Sequence, residues 1–459
     1  METTRIESVM AEVRRRIGAR TLVAGARLPS VRSFAKIMGV SVSTVVEAYG
    51  RLAAEGAIQS RPGSGFYVAN ASAPFALAAS GPRLDRVIDP FWVSRQSLEA
   101  APDALRPGCG WLPPSWLPQD AIRRALRTLA RADGVSLCEY GTPLGLAPLR
   151  GLIARRLADR GVEAGPDQIM LTESGTQAID LLCRLLLEPG DTVLVDDPCY
   201  FNFHALLRAH RARLVSVPYL TNGPDIEAFG AALAQHKPRL YITNSGIHNP
   251  TGASLSSAVA HRVLKLAEIH GLTIIEDDIF ADLEISPAPR LAAFDGLERV
   301  VEIGSFSKIL SAAFRCGFVA ARPDWIEGLT DLKIATSFGG GRIDAELTQA
   351  VLGDGSYRKH LDVLRHRLAQ ARHMVSQRLG ELGITPQLAP QAGMFLWCTL
   401  PDGHDAADIA RSALAHNVVL APGNVFSLSQ TATSALRFNV SQTLDDRIYA
   451  VLGAALNGR

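Results

Sequence analysis

The sequence predicts an α/β fold in two unequal parts: a small helical head with a β-hairpin, and a large body built on a mostly parallel sheet. Three observations carry that expectation. At 459 residues the chain exceeds what one ordinary core organises, so two or three domains are expected. Charge divides it too: residues 1–68 hold ten Lys/Arg against five Asp/Glu, a net +5, which leaves −3 for the rest of a chain whose total is +2. Beyond residue 150, short β-prone runs alternate with helical stretches, the pattern of parallel strands covered by helices.

In the head, Ile6, Val9, Met10, Val13 and Ile17 recur at helical spacing, with Arg14, Arg15 and Arg16 on the opposite face. Ser30 is a good N-cap for a second helix that ends at Gly39. A third spans residues 43–55, with Val45, Ala48, Tyr49 and Leu52 as its apolar face and Gly56 as its stop. Residues 57–68 read as two short strands around Arg61-Pro62-Gly63-Ser64-Gly65. Two short helices separated by Gly39-Val40-Ser41 have the spacing of a helix-turn-helix, whose second helix enters the major groove of DNA. Burial of its apolar face leaves Val42, Ser43, Thr44 and Val46 outward near its N-terminus, where base edges and phosphates are met. Periodicity alone leaves open a helical cap that serves only for dimerisation.

A linker is expected over residues 69–90, because ANASAPFALAASGPR (69–83) is rich in Ala, Ser, Pro and Gly and lacks a sustained period. The body, 91–459, shows β-prone runs at 168–172, 192–195, 214–217, 240–243, 272–275 and 300–303, with helical segments such as 178–187 and 257–270 between them. From about 345 to 459 a long helix leads into a smaller α+β unit. No apolar run approaches the ~18 residues of a membrane span. The N-terminus, with Glu2, Arg5 and Glu7, does not read as a secretory signal, so a cytoplasmic protein is expected. The six cysteines are scattered without a Cys-x-x-Cys pair, which points to reduced, structural thiols and to no metal site.

Five separated features of the body converge on one kind of ligand. Glu173-Ser174-Gly175-Thr176-Gln177 follows a strand and opens a helix, so free N–H groups and a glycine backbone can meet a phosphate; alone, Ser-Gly-Thr more often just caps a helix. Tyr200 sits beyond a strand end, where its ring can stack on a flat cofactor or simply join the core. His248-Asn249-Pro250-Thr251-Gly252 is a rigid turn, and the Asn249 amide can donate to a phenolate oxygen. Glu276-Asp277-Asp278 ends an apolar strand, and a carboxylate there can pair with a protonated ring nitrogen. The most specific feature is Gly304-Ser305-Phe306-Ser307-Lys308, with Arg315 seven residues on. It offers an amine for a cofactor aldehyde, and a hydroxyl and a guanidinium for its phosphate.

The segment LPSVRSFAKIMGVSVSTVVEAYGRLAAEGAIQSRPGSGFYV resembles the GntR-type winged helix-turn-helix. That resemblance implies double-stranded DNA as a partner, with Arg32, Ser41, Ser43, Thr44, Arg61 and Gly63 as its contacts. Many relatives carry Arg after the turn serine; this chain has Val42, which removes a phosphate or guanine contact. The order and spacing of the body's motifs resemble fold-type I aminotransferases, whose cofactor is pyridoxal 5′-phosphate. The resemblance implies Lys308 as the Schiff-base lysine, Asp277 at the pyridine nitrogen, Asn249 at the ring hydroxyl and Tyr200 stacked on the ring. It also implies Ser174, Gly175, Thr176, Ser305 and Arg315 around the phosphate, and Arg437 on a substrate carboxylate. Tyr140, in YGTPLGLAPLR, matches a tyrosine that reaches the phosphate of the partner subunit, so a homodimer is implied. Where many relatives have a tyrosine that touches the ring oxygen, this chain has Phe280.

A GntR-type head on such a body is similar to the MocR family of bacterial regulators. The likeness implies a transcription regulator that senses an amino acid, an amine or pyridoxal phosphate itself at Lys308. The alternative is a working aminotransferase with an appended DNA-binding domain. A scaffold without chemistry is the third reading.

Overall fold

The computed structural model describes residues 4–18, 22, 25–61, 64–69, 90–132 and 134–458. They belong to two units, Met1–Arg83 and Leu84–Arg459, each with its own core. Almost all of the expected linker, 69–90, lies outside the described residues, as does Gly63.

In the first unit, α1 (Arg5–Gly18), α2 (Val31–Met38) and α3 (Val42–Ala54) enclose Val9, Val13, Phe34, Val45, Ala48, Tyr49 and Leu52. The two serines at the helix starts act as anticipated: Ser30 accepts from Ser33 N–H and Ser41 from Thr44 N–H, each at 3.2 Å. Gly39 takes φ 64°, the left-handed conformation that lets the chain leave α2 and turn into α3. Strand β1 (Ile58–Arg61) pairs antiparallel with β2 (Gly65–Val68). Arg16 departs from expectation. It is half-buried with its guanidinium 5.2 Å above Phe34, since its hydrocarbon stem covers apolar surface more cheaply than water does.

In the second unit, an eight-stranded sheet runs in the order β3 (Ile169–Thr172), β10 (Gly317–Ala320), β9 (Val300–Ser305), β8 (Thr273–Asp277), β7 (Leu240–Thr243), β4 (Thr192–Asp197), β5 (Arg213–Leu220) and β6 (Gly223–Pro224). Neighbours from β9 to β5 are parallel, whereas β10 is antiparallel to both β3 and β9. Strands β3 and β7 are buried at every residue, as a sheet covered on both faces requires. The carboxyl ends of β3, β4, β7, β8 and β9 therefore open on one edge, where open α/β sheets place their ligands. A 25-residue helix, Ser356–Gly380, leads to a smaller antiparallel sheet in the order β11 (Thr385–Pro386), β12 (Phe395–Thr399), β14 (Ala435–Asn439), β13 (Ala421–Pro422). Among the described residues no helix is long and apolar enough to cross a membrane. All six cysteines are free, and only Cys138 is exposed.

Candidate cofactor site and nucleic-acid face

Lys308 lies in the turn after β9 and lines a cavity of about 140 Å³ with Cys109, Gly110, Tyr200, Asn249 and Arg437. Burial lowers its amino group to about 8, and the positive charge of Arg437 acts in the same direction. Asp277 ends β8. Burial raises its carboxyl to about 7, opposed by the Ile279 N–H that donates to Oδ1 at 3.2 Å. Among the described residues it forms no ion pair, so a buried carboxylate stands ready for a cation.

Arg437 on β14 is a buried cation in the complementary position. One terminal nitrogen donates to Asn249 Oδ1 at 2.8 Å and the other to the Gly108 carbonyl at 2.7 Å, while Nε has no hydrogen-bond partner. The guanidinium lies 4.3 Å from the Phe395 ring centroid and 4.8 Å from that of Phe426. Burial lowers its pKa to about 10, and among the described residues no carboxylate offsets that cost. Asn439, two residues on and hence on the same face of the strand, donates to the carbonyls of Cys109 at 3.1 Å and Trp111 at 2.8 Å. It thereby fixes Gly110, where an added Cβ would stand 3.8 Å from Lys308 Nζ and 3.9 Å from Arg437.

A second group of residues gathers where β3 and β9 end and β10 begins. Ser174 caps the helix Gly175–Leu186 by accepting from Gln177 N–H at 3.0 Å. A Cβ on Gly175 would reach 4.0 Å from the Ser305 side chain, and the pairing of Gly317 with both Ser305 and Thr172 closes the cluster. The Ser305 hydroxyl donates to Ser307 Oγ at 3.1 Å. Thr176 and Arg315 are exposed at its mouth. A twelve-residue helix that presents free N–H groups beside two hydroxyls and a guanidinium suits a phosphate dianion.

Arg315 also lines a larger cavity of about 630 Å³ with Tyr140, Glu173 and Lys333. Lys333 is buried and donates to the Pro143 carbonyl at 2.7 Å and the Leu171 carbonyl at 2.8 Å, tying the segment after Tyr140 to β3. Tyr140 itself is 81% exposed, stacked on Phe338, and does not line the Lys308 cavity of its own chain. Tyr200 lines that cavity, with its ring edge-on to Phe203. Phe280 is buried edge-on to Phe395, so a hydrocarbon wall replaces the hydroxyl that a tyrosine would bring. Sequence reasoning missed Gly108, Gly110, Phe395, Phe426, Asn439 and Lys333. Of these only Asn439 carried a signal, its alternation with Arg437 on one strand.

On the head, Arg32 on α2 and Arg61 on β1 are exposed, the latter 4.4 Å above the Tyr67 ring. Ser41 and Ser43 are exposed, and Thr44 is half-buried, its hydroxyl 2.7 Å from Ser41 Oγ in the helix cap.

Fold and site together define a winged-helix head on a fold-type I aminotransferase body of the pyridoxal-phosphate-dependent class. Residues 114–452 match the family "Aminotransferase class I and II", and residues 5–68 match "Bacterial regulatory proteins, gntR family". The chain belongs to the aminotransferase class I and II family and carries a gntR regulatory domain ahead of it, the organisation of MocR-type regulators. It is 30% identical to the HTH-type transcriptional regulator YdcR of Escherichia coli, with 96% of each chain covered. It is 29% identical to the 2-aminoadipate transaminase of Thermus thermophilus over 77% of this chain and 91% of that one. The crystal structure of LysN, an α-aminoadipate aminotransferase from Thermus thermophilus complexed with N-(5′-phosphopyridoxyl)-L-leucine, superposes with a TM-score of 0.71 at 28% identity. That superposition covers 78% of this chain and 94% of LysN.

Proposed function

We propose that this GntR-type regulator senses an amino compound at Lys308 and transmits its presence to DNA as a homodimer in the cytoplasm. The observation that carries the reading is the geometry of two buried groups of opposite charge, neither in a salt bridge among the described residues, beside one amine. Among the described residues neither Asp277 nor Arg437 forms a salt bridge, the Lys308 amine acts on Asp277 only through its charge, and Lys308 lies beside Arg437 across Gly110. A zwitterionic amino acid and a protonated pyridine together supply what is missing.

The residues present fit pyridoxal phosphate. Lys308 would hold it, Asp277 would face its ring nitrogen, Asn249 its ring hydroxyl, and Tyr200 its face. Ser174, Gly175, Thr176, Ser305 and Arg315 would hold its phosphate, with Tyr140 reaching the partner subunit's site. When bound, the cofactor supplies an aldehyde for amines and an electron-withdrawing ring. The chain's own groups do the rest. Near neutrality part of the Lys308 population is uncharged and can accept or release a proton at Nζ. Arg437 orients a carboxylate through its fork, while Phe395 and Phe426 keep water from its faces. Effector binding shifts the regulator only to the extent that its affinity differs between two arrangements of the dimer.

The test is a mobility shift of the cofactor-loaded full chain on DNA upstream of its own gene, at stated salt, with and without amino compounds that change the bound-cofactor spectrum. Retardation that changes with such a compound, and weakens for Arg32→Ala, is expected. Binding indifferent to every compound that alters the spectrum would defeat sensing. A second reading, transamination, is favoured by the intact set of Lys308, Asp277 and Arg437. It requires steady turnover with an amino donor and a keto acid.

A further inference from the structure

The recognition helix is short of the groups that usually read bases. Its sequence, VSTVVEAYGRLAA, contains no Lys, Asn or Gln, and its one arginine, Arg51, lies in the last turn bonded to Glu47 at 2.8 Å. Guanine and adenine are most often recognised by Arg, Lys, Asn or Gln. The hydroxyls at its start bond to one another in the cap: Ser41 Oγ lies 2.9 Å from Ser43 Oγ and 2.7 Å from Thr44 Oγ1, and it also accepts the Thr44 N–H. Of the groups left outward in the first two turns, Ser43 bonds to Ser41 and Glu47 pairs with Arg51 at 2.8 Å, and Val42 and Val46 are hydrocarbon. Val42 is 49% exposed and Val46 52% exposed, one helical turn apart on one face. Neither belongs to the head's core.

We propose that Val42 and Val46 read thymine methyl groups in the major groove, so that α3 specifies its half-site by apolar contact. The proposal rests on the DNA-binding reading and sharpens it. Side chains four residues apart on a helix stand roughly 6 Å from each other, against a rise of about 3.4 Å per base pair. The two valines therefore match thymines one or two steps apart. The 5-methyl group is the apolar feature that thymine presents in the major groove, and aliphatic side chains meet it without a hydrogen bond. Val42 is thus a gain of readout, where its place in the motif first suggested only a lost contact.

The experiment uses the cofactor-loaded full chain. Duplexes are selected from a random pool at low salt, and the enriched half-site is remade with uracil in place of each thymine, which removes only the methyl. Weakening of about fourfold is expected at one or two positions, the equivalent of about 0.8 kcal/mol for one buried methyl-sized group. In Val46→Ala, exposed and so tolerated by the fold, the penalty should vanish at one of them while the salt dependence of binding stays unchanged. Enriched DNA that binds equally well with uracil everywhere overturns the methyl readout and leaves DNA binding intact. If no duplex is enriched at all, the DNA-binding reading itself fails and takes this one with it.

Discussion

Burial lowers the Lys308 amine to about 8 and raises the Asp277 carboxyl to about 7, and each shift has a measurable sign. A lysine at about 8 is half uncharged at that pH, whereas ordinary surface lysines reach that point near 10.4. Acetylation of the cofactor-free chain, followed by mass spectrometry, should therefore label Lys308 with a midpoint near pH 8, well before the bulk lysines. A midpoint near 10 would show an amine in open water. For Asp277 the folded value lies above the unfolded one. Its contribution to stability is complete below about pH 4 and is lost as the pH rises to about 7. Asp277→Asn keeps the shape and removes that loss. The cofactor-free variant should be more stable than wild type by up to about 4 kcal/mol at pH 8, and no more stable at pH 4, in urea melts. The same variant should bind pyridoxal phosphate more weakly. At Arg437 the fork matters more than the charge. Arg437→Lys should weaken amino acids about tenfold or more in spectral titrations while leaving simple amines unaffected, because only the former present a carboxylate.

The head's helices were legible because capping and periodicity agree within each of them. Ser30, Gly39 and Ser41 punctuate α2 and α3 where the apolar period starts and stops, and Val45, Ala48, Tyr49 and Leu52 are all fully buried. Ser41→Ala removes one such signal. It should cost the head about 1 kcal/mol, read as a lower midpoint of its own unfolding transition. In the body, Lys308, Asp277, Asn249 and Tyr200 were legible because each ends or follows a strand whose apolar run is easily seen. Strand β10 was not. It is only four residues long, antiparallel between β3 and β9, and follows the functional turn with no spacer to announce it. Phe395 and Phe426 were illegible for a different reason. Each is an ordinary core aromatic in its own segment, and only the approach of β12 and the 426 turn to β14 makes the two into walls for Arg437. The helix Pro90–Glu99, which begins where the expected linker ends, was not anticipated, because its weak amphipathic pattern follows a tract rich in small residues.

Two cores with no shared residue imply two melting units. The head's cluster draws only on residues before 69, and the body's clusters only on residues from Val93 onward. A unit of 83 residues is marginal by itself, because it buries a smaller share of its surface than a body more than four times longer. Scanning calorimetry of the full chain should therefore show a small early transition and a large late one. Pyridoxal phosphate at a hundred times its dissociation constant contributes about 2.7 kcal/mol to the unit that binds it. Spread over the entropy of unfolding some 370 residues, that raises the late transition by about 3 °C. The early transition should stay where it was, and specific DNA should do the reverse. A single transition that moves as a whole with either ligand would show that head and body unfold as one cooperative unit. Two independent transitions leave a route in which the effector changes how two bodies pair and so changes which spacing of DNA half-sites the two heads can occupy. In that case the effector's influence on DNA affinity should depend on half-site spacing, and should disappear when a single half-site is offered.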